Sequence, residues 1–158
     1  PLLYYMSKYH PKFVSKIELG KGIPSVSYNL RHGGSVLIDR KQPLKSIKAI
    51  KDFAQKISNN NWSAIIFPEG TRSKTGHPKP FKTKGLQTLI THMPNALVVP
   101  ITINNSWKIL RYGKFPLGLG VHILFKVHKP LTTDQLNTPK LIKKVEQIII
   151  NDIQHESK

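Results

Sequence analysis

The chain has 158 residues, with 25 lysines and arginines against 8 aspartates and glutamates, a formal net charge of +17. That length suits a single domain with a sizeable core, and the charge favours anionic partners such as nucleic acid, acidic lipid headgroups or phosphate-bearing small molecules. With no cysteine, disulfide frameworks, thiolate metal sites and cysteine nucleophiles are excluded, and the apolar runs 64–67 and 96–103 fall far short of the roughly 20 residues that span a bilayer.

Residues 1–9 read as the end of an apolar helix. Position 1 is a proline and Met6 lies in an apolar stretch without a signal-peptide pattern, so the chain is expected to be part of a longer one. Residues 13–19 alternate as a short strand, and Ile23, Pro24, Val26 and Leu30 suggest a helix with Pro24 in its first turn, stopped by Gly33 and Gly34. Ser35 to Arg40 reads as a strand ending in a charged pair. The clearest helix follows, with Leu44, Ile47, Ile50, Phe53, Ala54 and Ile57 assigned to its apolar face and Lys45, Lys48 and Lys51 to a solvated stripe, until Asn59, Asn60 and Asn61 end it.

Trp62 leads into an apolar strand over 63–67. Beyond a loop containing Gly76, Pro78 and Pro80, a short helix carries Leu86, Leu89 and Ile90. Residues 96–103 are expected to form an apolar strand buried on both faces. A basic aromatic segment (Trp107, Lys108, Arg111, Tyr112, Lys114, Phe115) precedes Gly118 and Gly120, a strand spans 121–127, and a helix over 139–153 has Leu141, Ile142, Val145, Ile148 and Ile149 on one face before a frayed end. Strands alternating with helices predict an α/β fold, a mixed, largely parallel sheet flanked by helices, forming one domain over 1–158.

The loop Phe67-Pro68-Glu69-Gly70-Thr71-Arg72-Ser73 is the best candidate site. The strand before it would fix the backbone, so that Glu69, Thr71 and Arg72 point into a pocket that Gly70 lets a ligand approach; a plain surface turn is the alternative. Other chemistries find no motif. There is no Gly-x-Ser-x-Gly elbow, no phosphate loop ending in Gly-Lys-Ser/Thr, no Gly-x-Gly-x-x-Gly after a strand, and no His-Glu-x-x-His. The seven histidines show no ligand spacing, so no metal is expected. Arg40 and Arg72 both follow strands, with Lys82 and Lys84 close behind, and cations at strand ends can converge on one sheet edge, where a guanidinium grips phosphate with two charge-assisted hydrogen bonds.

These residues also carry a family resemblance. The loop 67–73 resembles the third motif of the 1-acyl-sn-glycerol-3-phosphate acyltransferases. Gly34-Ser35-Val36-Leu37-Ile38-Asp39-Arg40 is similar to their second motif, Val98-Val99-Pro100-Ile101 to their fourth, and Phe81-Lys82-Thr83-Lys84-Gly85 to the basic stretch after the third. The likeness covers about residues 1–130. The family's first motif, a histidine with an aspartate five positions on, has no match here, since His32, for instance, is followed at that distance by Leu37. The resemblance therefore implies that the catalytic His and Asp lie upstream of Pro1 and that the chain alone is inactive.

The implied reaction moves a fatty acyl group from acyl-CoA or acyl carrier protein to the free hydroxyl of lysophosphatidic acid, with no bound cofactor. His would deprotonate the hydroxyl as it attacks the thioester carbonyl. Arg40 and Arg72 are then the expected phosphate clamps, and Glu69, Gly70 and Thr71 shape the glycerol end. Lys82 and Lys84 are further contacts, while Gly34 and Pro100 are structural at the site. Association with an anionic membrane on its cytoplasmic face, without a transmembrane segment in this chain, completes the picture. Two alternatives stay open: a sister enzyme with another lysolipid or glycerol phosphate as acceptor, and a basic nucleic-acid-binding domain, which lacks a recognisable module, so no specific nucleic acid is expected.

Overall fold

The aromatic Phe13 and the β-branched Val14 favour extended backbone in Pro11–Lys16, and this segment, β1, is the central strand of a three-stranded parallel sheet in the computed structural model. Residues 9–21, 24–71, 73–110, 112–113, 118–133 and 137–153 are described by the structure. The expected helix over 1–9, apart from Tyr9, and the chain end after Ile153 lie outside them. The chain groups into two compact units, Pro1–Pro68 with Thr83–Pro94, and Glu69–Lys82 with Asn95–Lys158.

In the first unit β1 pairs with β2 (Val36–Ile38) through its second half and with β3 (Ser63–Ile65) through its first half, so Lys16 lies opposite Ile38 and Phe13 opposite Ile65. The parallel direction is possible because each neighbouring strand is reached through a helix. Those helices are α1 (Pro24–His32) and α2 (Pro43–Asn59). A third, α3 (Thr83–His92), packs on α2. Val14, Ile50, Phe53, Ala54, Ile57 and Leu89 form the buried core, with Val36, Ile38, Trp62, Ala64, Ile66 and Met93 packed around it. The α/β reading holds, with β1 beginning two residues earlier than expected and giving way to a 3-10 turn over Ile17–Gly20.

One assignment on α2 is corrected. Leu44 is 88% exposed, and Ser46 takes a buried place instead. A residue repeated every three positions drifts around a helix of about 3.6 residues per turn, so Leu44, nine residues before Phe53, stands about two and a half turns away, on the opposite side.

The second unit contains an antiparallel pair, β4 (Ile101–Asn104) and β5 (Leu124–Val127), and the helix α4 (Thr138–Asn151). Asn137 caps α4 by accepting from the Lys140 N–H at 3.1 Å, and Pro139 follows in the first turn. The helix buries Leu141, Ile142 and Val145. The predicted strand over 96–103 is overturned in two respects. Only a bridge between Val98 and Leu131 precedes β4, because Pro100 has no N–H and interrupts the ladder, although its carbonyl accepts from the His128 N–H at 3.0 Å. Nor is it buried on both faces: Leu97 and Val99 are exposed, and the buried positions of β4 are the polar Thr102 and Asn104. Both are satisfied, Thr102 by the His128 ring at 2.8 Å and Asn104 by donating to the Asp152 carbonyl at 3.1 Å. Asp152 also pairs with Lys126, which ties the end of α4 to β5. The strand expected over 121–127 is shortened to its last four residues.

Candidate acceptor-binding site

Parallel strands deliver their carboxyl ends to one edge, and in the first unit that edge carries Lys16, the last residue of β1, and Asp39-Arg40, which directly follow β2. Lys16 was not singled out in the sequence; it pairs with Glu18 at 2.8 Å, holding the Glu18 carboxyl below its ordinary range. Asp39 does not reach outward. Its carboxylate accepts from the Lys41 N–H and from the Gln42 side chain, both at 2.9 Å, while its carbonyl accepts from the Gln42 N–H at 3.0 Å and the Ser46 hydroxyl at 2.6 Å. The acid of the Asp-Arg pair therefore shapes the turn that starts α2, and Arg40 is left exposed on that turn, with no ion pair among the described residues.

Those two hydrogen bonds, the Lys41 N–H first, hold the Asp39 carboxyl below its ordinary value. A depressed folded-state value means the turn gains stability above the unfolded aspartate value of about 3.9. That gain is lost as pH falls through the lower, folded value. A proton titration following the Lys41 amide resonance should show a midpoint below that of free aspartate; a midpoint at the ordinary value would remove the argument.

Beside this turn opens a cleft of about 270 Å³ lined by Ile17, Leu37, Ile38, Asp39, Gln42, Lys45, Ser46 and Ala49. Gly34, between α1 and β2, lies against Trp62, whose ring would stand 3.1 Å from an added Cβ. Lys84 is exposed in the first turn of α3.

The loop of the second unit is more constrained than its sequence suggests. Glu69 accepts from the Lys79 backbone N–H at 3.0 Å, and the Lys79 ammonium donates to the Thr71 hydroxyl at 3.2 Å. One residue thus holds both side chains of the Glu-Gly-Thr string. Lys79 sits between Pro78 and Pro80, so its backbone is restricted to extended conformations before its N–H meets the carboxylate. Gly70 between them has φ of 71°, a conformation suited to glycine. Two further braces follow: the Phe81 N–H donates to Glu146 of α4 at 2.9 Å, and Gly76 rests on the Trp107 indole. Trp107, read in the sequence as part of a basic aromatic surface, is half-buried there, with the Lys108 ammonium 5.9 Å from its ring centre.

Of the remaining candidates, Lys82 is exposed and Pro100 buried, both in the second unit. Arg72 lies outside the described residues, as do Arg111, Lys114 and Phe115. Lys79 escaped the sequence reading because it is one cation among 25; its place between two prolines was the available signal. Among the described residues no cluster of His, Asp and Glu is arranged to hold a metal ion, and no helix is long and apolar enough to cross a membrane.

The family model described as Acyltransferase matches residues 1–104. This chain belongs to the acyltransferase family. The chain is 32% identical over 131 residues to the 1-acyl-sn-glycerol-3-phosphate acyltransferase of Limnanthes douglasii, an alignment covering 80% of this chain and 44% of that protein. It is 36% identical over 114 residues to the enzyme of the same name from Cocos nucifera, covering 70% of this chain and 35% of the other. The fold is shared with the crystal structure of PlsC, the 1-acyl-sn-glycerophosphate acyltransferase of Thermotoga maritima, at a TM-score of 0.67 and 24% identity, over 94% of this chain and 59% of that one. The chain thus spans less than half the length of these curated relatives.

Proposed function

We propose that this chain serves a 1-acyl-sn-glycerol-3-phosphate O-acyltransferase, holding lysophosphatidate while its free hydroxyl takes an acyl group from a thioester to give phosphatidic acid in phospholipid synthesis. The observation that carries the reading is the Glu69-Gly70-Thr71 loop, fastened through Lys79 in a chain of the acyltransferase family. Names of the relatives support the choice of acceptor. The donor is acyl-CoA or acyl carrier protein.

In the reaction the acceptor oxygen forms a bond to the thioester carbonyl carbon, the carbon–sulfur bond breaks, and the hydroxyl proton ends on the departing thiol by way of a base. No histidine among the 158 residues has an aspartate five positions on, so this chain's part is binding and orientation rather than proton removal. Arg40 and Arg72 are each, by the family resemblance, candidates to hold the acceptor phosphate, and a fixed phosphate fixes the reach of the hydroxyl. Glu69 and Thr71, already held by Lys79, shape the glycerol end without needing to reorganise when the acceptor arrives. Lys82 and Lys84 add point charges toward phosphate or donor, and Pro100 sets where β4 begins.

Assayed alone with acyl-CoA and lysophosphatidate, the chain should show no turnover above background, yet bind lysophosphatidate in calorimetry below the lipid's aggregation range. Arg40→Ala and Arg72→Ala should each weaken that binding about tenfold to a hundredfold, the worth of a charge-assisted hydrogen bond, with little change in melting temperature. Binding that ignores both substitutions, or that is equally strong for a lysolipid lacking an anionic phosphate, would reject the reading.

A further inference from the structure

The ammonium of Lys79 is placed for more than bracing. We propose that it contacts the acceptor's phosphate together with the Thr71 hydroxyl, and that it sets a preference for a phosphate monoester over a diester; the inference rests on the proposed function. Lys79 is exposed, and its ammonium donates to Thr71 Oγ1 at 3.2 Å. An ammonium has three protons to donate, and a hydroxyl oxygen that accepts one of them still has its own proton to give. Two donors that close together can reach neighbouring oxygens of a single phosphate. Thr71 is exposed as well, and Gly70 before it has no side chain to block approach.

The charge on Lys79 is held in place without being neutralised. Glu69 takes the Lys79 backbone N–H at 3.0 Å, but among the described residues the Lys79 ammonium makes no ion pair. Its charge rests on a neutral hydroxyl, where it stays available to an anion. A surface lysine ordinarily loses much rotamer freedom when a ligand fixes it. Here Pro78 and Pro80 restrict the backbone, Glu69 holds the N–H and Thr71 holds the tip, so part of that ordering precedes the ligand. The end of the loop is fixed too, through the Phe81 N–H on Glu146 at 2.9 Å. Charge then decides which phosphate is preferred. A monoester carries close to two negative charges at neutral pH and a diester one, so the monoester is both attracted more strongly by Lys79 and repelled more strongly by Glu69. Lys79 is the group that offsets the carboxylate in this loop.

Calorimetry with lysophosphatidate and with lysophosphatidylglycerol, a diester with one negative charge, tests this below the aggregation range of both lipids, at about pH 8, where the monoester is a dianion. Lys79→Met keeps the backbone N–H that holds Glu69. It should lower lysophosphatidate affinity about tenfold or more and lysophosphatidylglycerol affinity about threefold at most, as expected when a charge-assisted hydrogen bond to the dianion is lost. Lys79→Arg should retain the discrimination because it retains the charge. Lys74→Met, an equal charge loss at an exposed position of the same loop, should change either affinity about twofold at most. Melting temperatures show that each variant is folded. A lysine that only positions Thr71 would weaken both lipids equally when replaced by methionine. That result, or lysophosphatidate affinity untouched by Lys79→Met, overturns the proposal while leaving the acceptor reading in place. Glycerol 3-phosphate separates the two in the other direction: if it binds as tightly as lysophosphatidate and still depends on Lys79, the phosphate contact stands and the lysolipid reading falls. No binding of either monoester to the chain would overturn both.

Discussion

Phe53→Ala is expected to cost the first unit about 3–5 kcal/mol, the range for deleting a buried aromatic ring from a packed core. The ring is 5% exposed and lies in the cluster with Val14, Ile50, Ala54, Ile57 and Leu89, which joins strand β1 to helices α2 and α3. Little space exists for collapse, because Ala54 and Ile57 beside it are themselves fully covered. Leu44→Ala on the same helix provides the contrast. It removes an exposed side chain, and its effect should stay within about 0.5 kcal/mol. Urea unfolding of the two variants reads the difference, and equal losses would mean that the core has been drawn on the wrong face of α2.

Gly76→Ala is expected to destabilise the second unit by about 2–4 kcal/mol, combining the penalty for a left-handed backbone with overpacking. Gly76 has φ of +85°, and an added Cβ would stand 2.6 Å from Nε1 of Trp107 and 3.1 Å from its Cε2. A half-buried indole cannot give way as the tip of a lysine can. Gly113→Ala is the matched control: it has φ of +100° with nothing within 4 Å of the new atom, so it carries the backbone penalty alone, about 1–2 kcal/mol. The loop displaced at Gly76 is the one in which Lys79 holds Glu69 and Thr71. Lysophosphatidate binding should therefore fall in Gly76→Ala and persist in Gly113→Ala. Equal melting temperatures for the two variants would show that the Trp107 contact does not constrain the loop.

Much of this protein was legible in the sequence, for local reasons. Apolar periodicity located α2, α3 and α4, since each must bury one stripe. The glycines and prolines marked the breaks, and the Phe67 to Ser73 string with Gly34 to Arg40 pointed to the acyltransferase family that the family model matches. The sequence also determined that the chain carries no histidine–aspartate pair at the family spacing, because such a pattern is read by counting.

Tertiary structure decided the rest. Leu44 and Phe53 are both apolar at plausible helical positions, and only packing against β1 and α3 tells which side of α2 is inside. The run over 96–103 reads as a buried strand, yet Pro100 interrupts its ladder and the buried places go to Thr102 and Asn104, whose partners, His128 and Asp152, are distant in sequence. Lys79 is one of many lysines until the loop closes and sets it against Glu69 and Thr71. A residue type announces what chemistry it can do, whereas its neighbours, brought together by folding, determine whether it binds, braces or faces the solvent.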